Sequence, residues 1–190
     1  MGTIADEAKK CIEVMRQGGV ILYPTDTVWG IGCDATNPAA VKRVFEIKKR
    51  CDSKAMLLLV DSPDRLVRYV GNVPQVAWDL IDLTTTPMTI IYDGARNSAP
   101  ELIAEDGSVG IRVTSELFSK ELCYRFQKAV VSTSANISGE PTPANFSEIS
   151  PEIIDAVDYV VNYKQLDKGR AKSSSIIKLS ADGTVSIIRR

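Results

Sequence analysis

The alternation of helix-like and strand-like segments along the whole chain is what most constrains its fold. Apolar residues recur at helical spacing over residues 4–15, glycines follow at positions 18 and 19, and the apolar run 20–23 predicts a buried strand. The same patterns predict further helices at 37–48, 62–70, 74–81, 115–128 and 147–157, strands at 56–60, 88–92, 109–113, 129–132 and 159–161, a loop at 24–34, and a hairpin of 175–179 with 184–188.

Interleaved helices and strands are typical of α/β proteins, and 190 residues suffice for one domain with a proper core. No internal repeat, low-complexity tract or linker divides the chain. We therefore predict a single domain over residues 1–190, with helices packed on a twisted sheet. The closing hairpin contributes an antiparallel pair, so the sheet is expected to mix parallel and antiparallel strands.

Composition excludes several classes of function. The chain has 23 basic and 24 acidic residues, so no overall charge attracts it to nucleic acid or to an anionic membrane. Its apolar runs fall far short of the roughly 20 residues of a membrane span and its N-terminus lacks a signal-peptide pattern, so we expect a cytoplasmic protein with no membrane partner. The cysteines lie far apart without a C-x-x-C pair, which favours reduced thiols. The absence of histidine excludes the Ser-His-Asp triad, the Cys-His dyad and histidine-ligated zinc.

A basic cluster at residues 42–54 contains six Lys and Arg residues against two acids. Lys48 and Arg50, two apart where the predicted helix gives way to a loop, can project the same way and bracket a phosphate chain. The same charges could instead complement the dipole at the helix C-terminus, an effect of about 0.3–1 kcal/mol. Composition alone leaves both interpretations open.

Two polar loops directly follow predicted strands. Residues 132–139 offer hydroxyls, an amide and backbone N–H groups that suit phosphate or ribose, although Ser and Asn are also ordinary turn residues. Residues 24–32 combine threonines with glycines that let a ligand approach the backbone, but Asp26 could equally stabilise a turn and Trp29 could lie in the core. Three polar loops, counting the one around Lys48, favour one shared pocket.

The chain has no Walker phosphate loop, dinucleotide fingerprint or tight carboxylate cluster, so Mg²⁺ would be held mainly by substrate phosphates.

The three loops together resemble the YrdC-like family of threonylcarbamoyl-AMP synthases. That family carries a P-T-[DE]-T-x-[YW]-G-[LI]-G loop, a K-x-R loop about twenty residues on, and a later T-S-A-N-x-S-G. Here these motifs match residues 24–32, 48–50 and 133–139, in the same order and spacing. The resemblance continues through 109–113, 173–177 and 187–189, and it implies a YrdC-like fold in the short, single-domain form. Cys51, Ala55 and Thr114 depart from the resemblance, since the family usually has proline at these positions. The absence of proline at 51 and 55 could loosen the 48–56 loop.

The resemblance implies a nucleotidyltransferase that joins L-threonine, bicarbonate and ATP into threonylcarbamoyl-AMP and pyrophosphate. The product serves tRNA threonylcarbamoyladenosine modification, so tRNA and the downstream threonylcarbamoyl transferase complex are further candidate partners. Once the threonine nitrogen carries a carboxylate, that group is a nucleophile that needs in-line placement against the α-phosphorus and positive charge on the phosphates. Such chemistry is compatible with a chain that lacks histidine.

The resemblance also implies roles for particular residues. The catalytic group comprises Lys48, Arg50, Ser134 and Asn136, all of which also contact ATP. Further ATP contacts are expected from Lys54, Ser108, Thr142 and Arg189. Threonine is expected to bind to Thr27, Arg112, Ser132 and one of Ser174 or Ser175. Arg112 would pair with the threonine carboxylate.

An alternative function is an RNA-binding module that uses the basic cluster at 42–54 to contact phosphates. The cluster has no ladder of aromatic residues beside it, and residues 144–163 hold acids and no base, which disfavours this reading. A carbamoyl-transfer enzyme on the same architecture is a third possibility, but such proteins are much longer and carry cysteine zinc motifs that this chain lacks.

Overall fold

The computed structural model describes residues 2–49, 56–169 and 173–190. Helix α1 spans Ile4–Arg16 and begins with a capping box, in which the side chains of Thr3 and Asp6 each accept the other's backbone N–H. The remaining helices are α2 (Pro38–Ile47), α3 (Leu66–Tyr69), α4 (Gln75–Leu83), α5 (Leu117–Phe126) and α6 (Pro151–Ala156). The strands are β1 (Ile21–Tyr23), β2 (Gly30–Gly32), β3 (Leu57–Val60), β4 (Met88–Tyr92), β5 (Val109–Val113), β6 (Val130–Ser134), β7 (Tyr159–Val160), β8 (Ser175–Leu179) and β9 (Val185–Arg189).

The described strands form one sheet in the order β7-β1-β2-β6-β3-β5-β4-β8-β9. Parallel pairing joins β1 with β7, β3 with β5 and β4 with β8, and the other neighbours are antiparallel. The predicted α/β class and mixed sheet are therefore confirmed. The closing hairpin of β8 and β9 is also present, with β9 at the edge of the sheet.

Strand β2 corrects the predicted loop at 24–34. Its sequence Gly-Ile-Gly offers one apolar side chain, too few to produce a strand pattern, yet all three residues are buried. A Cβ on Gly32 would lie 2.4 Å from the Val131 carbonyl oxygen, so only glycine lets β2 lie this close to β6. The strand is therefore specified by its neighbours in the sheet.

Three other predicted boundaries also shift. Strand β6 extends to Ser134, because Gly30 and Ile31 of β2 pair with residues 134 and 133 and lengthen the ladder. The helix predicted at 62–70 is a 3₁₀ turn, Pro63–Arg65, followed by the single turn of α3. The helix predicted at 147–157 is a 3₁₀ turn, Phe146–Glu148, and then α6, which starts at a proline capped by Ser150.

The core contains the apolar face of α1, the strand interiors and α5. The thiols of Cys11, Cys33 and Cys123 are buried in it and unbridged, and Cys51 lies outside the described residues. Burial raises the pKa of all three described thiols. Across the described ranges, no helix is both long and apolar enough to cross a membrane.

Candidate functional site

A cavity of about 460 Å³ opens on one face of the sheet. Side chains alternate along each strand, so Gly110 and Arg112 of β5 line the cavity, whereas Ile111 and Val113 line a cleft on the opposite face. Gly110 has no side chain to fill the space. The cavity is bordered by Thr27, Val28, Gly30, Met56, Leu57, Thr89, Ile91, Leu102, Ala104, Ser108, Val109, Gly110, Arg112, Ser132, Thr133, Ser134, Thr142, Ser173, Ser174, Ile176, Ile188 and Arg189.

The loop between β1 and β2 is shaped by Thr25. Its hydroxyl donates to the Val28 carbonyl at 2.8 Å and accepts the Thr27 backbone N–H at 3.1 Å. Thr27 then lines the cavity, whereas Asp26 lines the cleft on the other face of the sheet. Trp29 is 6% exposed and packs on Phe146 with ring centroids 4.8 Å apart, so it is a core residue.

Arg112 and Asp26 form a buried ion pair beside the cavity. Arg112 Nε lies 3.0 Å from Asp26 Oδ1, and the two side chains are 4% and 6% exposed. Neither Arg112 Nε nor Asp26 Oδ1 has a hydrogen-bond partner in the described chain, so the contact between them is electrostatic. Burial raises the pKa of Asp26 against the pull of Arg112, and burial lowers the pKa of Arg112 against the pull of Asp26. Arg112 therefore keeps donors available for an anion in the cavity.

Lys48 connects the end of α2 to the last residue of β6 and to the loop after it. It is 1% exposed, and its Nζ donates to the carbonyl oxygens of Ser134 and, at 2.9 Å, Asn136. The backbone carbonyl of Lys48 accepts the Ser138 N–H at 2.8 Å. These bonds bring two of the sequence motifs into direct contact.

Asn136 does not line the cavity. Its amide nitrogen donates to the carbonyls of Ile137 and Glu140, each at 2.9 Å, while its Oδ1 is buried without a partner in the described chain. Ser134, two residues earlier in β6, does border the cavity.

The other residues assigned by resemblance mostly converge on the cavity. Arg189 donates Nε and Nη2 to the Ser174 carbonyl at 3.0 and 2.8 Å, which joins the end of β9 to the segment before β8. Ser174 lines the cavity and Ser175, the first residue of β8, does not. The predicted residues that border it are Thr27, Ser108, Arg112, Ser132, Ser134, Thr142, Ser174 and Arg189. Arg50 and Lys54 lie outside the described residues.

Much of the basic cluster is paired with acids. Lys42 lies 3.4 Å from Glu101, Arg43 donates to Asp158, and Lys49 lies 2.6 Å from Glu152. These charges join α2 to neighbouring segments. Within residues 42–49, each of the three cations that reach the surface therefore has an acidic partner.

Thr89 lines the cavity, although it was not among the predicted site residues. It lies in β4, is 3% exposed, and its hydroxyl is 3.0 Å from that of Ser174. The signal was available, since Thr89 is a polar residue between apolar neighbours in a predicted strand. Within residues 2–49, 56–169 and 173–190, no group of three or more Cys, Asp or Glu residues could hold a metal ion.

The chain is similar in sequence to a known family and to several of its members. A family model for Sua5, YciO and YrdC, described as telomere recombination, matches residues 13–190. A threonylcarbamoyl-AMP synthase of Pseudoalteromonas translucida is 34% identical over 154 residues, which cover 80% of this chain and 82% of that protein. A putative threonylcarbamoyl-AMP synthase of Methanocaldococcus jannaschii is 33% identical over 96% of this chain and 86% of its own length.

Solved structures share the fold. YciO of E. coli superposes with a TM-score of 0.81 at 25% identity, over 98% of this chain and 89% of YciO. Sua5 of P. abyssi, solved with L-threonine, superposes with a TM-score of 0.80 at 23% identity over 92% of this chain. The match covers 51% of that Sua5 chain, so this chain corresponds to about half of it.

Proposed function

The chain belongs to the Sua5, YciO and YrdC family, and from that premise we propose that it is a threonylcarbamoyl-AMP synthase acting on ATP, L-threonine and bicarbonate. The threonine amine and bicarbonate condense to a carbamate with loss of water. A carbamate oxygen then attacks the α-phosphorus of ATP, forming the mixed anhydride and releasing pyrophosphate. Since the product serves tRNA modification, we also propose that the enzyme is cytoplasmic.

The observation that carries this proposal is the cavity around Arg112. It combines one buried guanidinium with hydroxyls from Thr27, Ser132 and Ser174, which suits a small zwitterion bearing a carboxylate and a hydroxyl. Arg189 supplies a second cation at the rim for the nucleotide. An amino acid and the phosphates of ATP would thus meet in one space.

We assign catalysis to positioning and charge. Lys48 and Arg50 would neutralise the phosphates, and Ser134 and Asn136 would orient them. The bonds from Lys48 to the loop after β6 support this grouping, because they hold the lysine beside Ser134 and Asn136. Lys54, Ser108, Thr142 and Arg189 would complete the ATP contacts.

Mg²⁺ is proposed as the companion of ATP. Hydroxyls and arginines dominate the polar lining of the cavity, and the described residues offer no carboxylate cluster, so the phosphates themselves would supply most metal ligands. The ion would offset phosphate charge. We expect excess chelator to abolish pyrophosphate release, and full activity without divalent metal would contradict this.

The decisive experiment measures pyrophosphate release from ATP with threonine and bicarbonate supplied together and singly. We expect release only with both, and labelled threonine should appear in the adenylate. Release that ignores threonine would overturn the proposal, as would RNA binding that falls steeply with salt in a protein without turnover. The acid-paired cations at Lys42, Arg43 and Lys49 disfavour that RNA-binding alternative. We also propose that the downstream transferase complex passes the threonylcarbamoyl group on to tRNA.

A further inference from the structure

The register between β4 and β5 places Thr89 next to Arg112. The antiparallel pairs are Ile90 with Ile111 and Ile91 with Gly110, so one further step along the ladder sets Thr89 opposite Arg112. Residues directly opposite have Cβ atoms about 4.5–5.5 Å apart and project to the same face. Both side chains do line the cavity, and each residue is 3% exposed.

The Thr89 hydroxyl has hydrogen-bonding capacity left over. Its partner in the described chain is the Ser174 hydroxyl, 3.0 Å away, and either oxygen can be the donor. One hydrogen lies between the two oxygens, so the accepting hydroxyl keeps its own hydrogen, and lone pairs remain on both. The pair can therefore donate to a ligand hydroxyl and also accept from it.

We propose that Thr89 recognises the side-chain hydroxyl of the amino acid substrate and so determines specificity for a β-hydroxy amino acid. The inference rests on the proposed function, in which Arg112 holds the α-carboxylate. In threonine the carboxylate and the hydroxyl are attached to adjacent carbon atoms. When its carboxylate is held by Arg112 of β5, the amino acid thus directs its hydroxyl to the neighbouring strand β4, where Thr89 lies. Gly110, the next residue of β5 on the same face, leaves room for the substrate.

Removing this hydroxyl should change selectivity more than it changes the fold. Thr89→Val keeps the shape of the side chain and loses its hydrogen bond. A neutral hydrogen bond corresponds to roughly 3- to 10-fold in an equilibrium constant, and a site that hydrogen-bonds a substrate hydroxyl penalises the analogue that lacks it. The ratio of kcat/KM for threonine to that for 2-aminobutyrate, which lacks only the hydroxyl, should fall about 10-fold in Thr89→Val.

The experiment compares both substrates in the wild type, Thr89→Val and Thr89→Ser. Serine retains a hydroxyl at this position, so Thr89→Ser should recover most of the wild-type ratio. The control is Thr84→Val, the same substitution at an exposed site just after α4, outside the cavity, where the ratio should stay constant. An unchanged ratio in Thr89→Val, including the case in which kcat/KM falls equally for both substrates, would overturn the inference.

Failure of the proposed function gives a different result, because the wild type itself would then release no threonine-dependent pyrophosphate. Circular dichroism melting monitors folding of each variant. Should Thr89→Val lose its cooperative transition, Thr89→Cys replaces the hydroxyl with a thiol, which forms only weak hydrogen bonds. A drop in the ratio is expected there as well, and an unchanged ratio would equally refute the role of Thr89.

Discussion

The stability of the folded protein should depend on the buried ion pair of Asp26 and Arg112. Asp26→Asn keeps the size of the side chain but removes its charge, which leaves the guanidinium without its anionic partner. Both side chains are almost wholly buried, so solvent screens the pair little. We expect the variant to fold with clearly reduced stability.

The magnitude follows from the geometry. With Nε and Oδ1 in contact at 3.0 Å, the charge centres lie ~4 Å apart, and the attraction is about 4 kcal/mol at an effective dielectric constant of ~20. Breaking a buried pair by removing one partner typically costs about 3–5 kcal/mol. That is a large share of a total stability of about 5–15 kcal/mol.

A second result follows from the burial of both ions. The cost of removing each charge from water offsets most of their mutual attraction, so the pair contributes little net stability even though losing one partner is costly. Combining Asp26→Asn with Arg112→Met removes both charges and should restore most of the loss. Urea unfolding followed by circular dichroism measures all three variants. A loss below about 1 kcal/mol in Asp26→Asn, or strict additivity in the double variant, would refute this reasoning.

Two further predictions concern other sites. Burial alone would raise the pKa of Glu7, but hydrogen bonds, first among them one from Lys10, lower it overall. The ionised carboxylate of Glu7 therefore stabilises the folded protein. Its contribution is present above the unfolded pKa near 4.5 and is lost as pH falls through the lower folded pKa. Glu7→Gln should therefore reduce the difference in urea midpoint between pH 7 and pH 3, and an unaltered difference would count against it. Gly32→Ala should lower the free energy of unfolding, measured by thermal unfolding, by about 3 kcal/mol or more, because the new Cβ would lie 2.4 Å from the Val131 carbonyl oxygen. Gly30→Ala, whose nearest atoms are 3.4 Å away, is the matched control and should cost distinctly less.

Several elements were predictable because their information is local. Helix α1 follows from the helical spacing of its apolar residues and the glycines at positions 18 and 19, and α2 follows from Asn37 before a proline. The hairpin of β8 and β9 follows from two apolar runs around a glycine turn. Strand β2 was missed, since Gly-Ile-Gly has no pattern of its own and lies in the sheet only because β1 and β6 approach on either side.

By itself, the sequence determined the α/β class, the mixed sheet, the family and most of the polar residues that border the cavity. Periodicity and motif spacing encode these features within short stretches of chain. Only the tertiary structure decided that Ser174, and not Ser175, faces the cavity, that Asp26 pairs with Arg112, and that Thr89 lies across from that arginine. Those contacts depend on strand register and on which face a side chain takes, and a shift of one residue would reverse them.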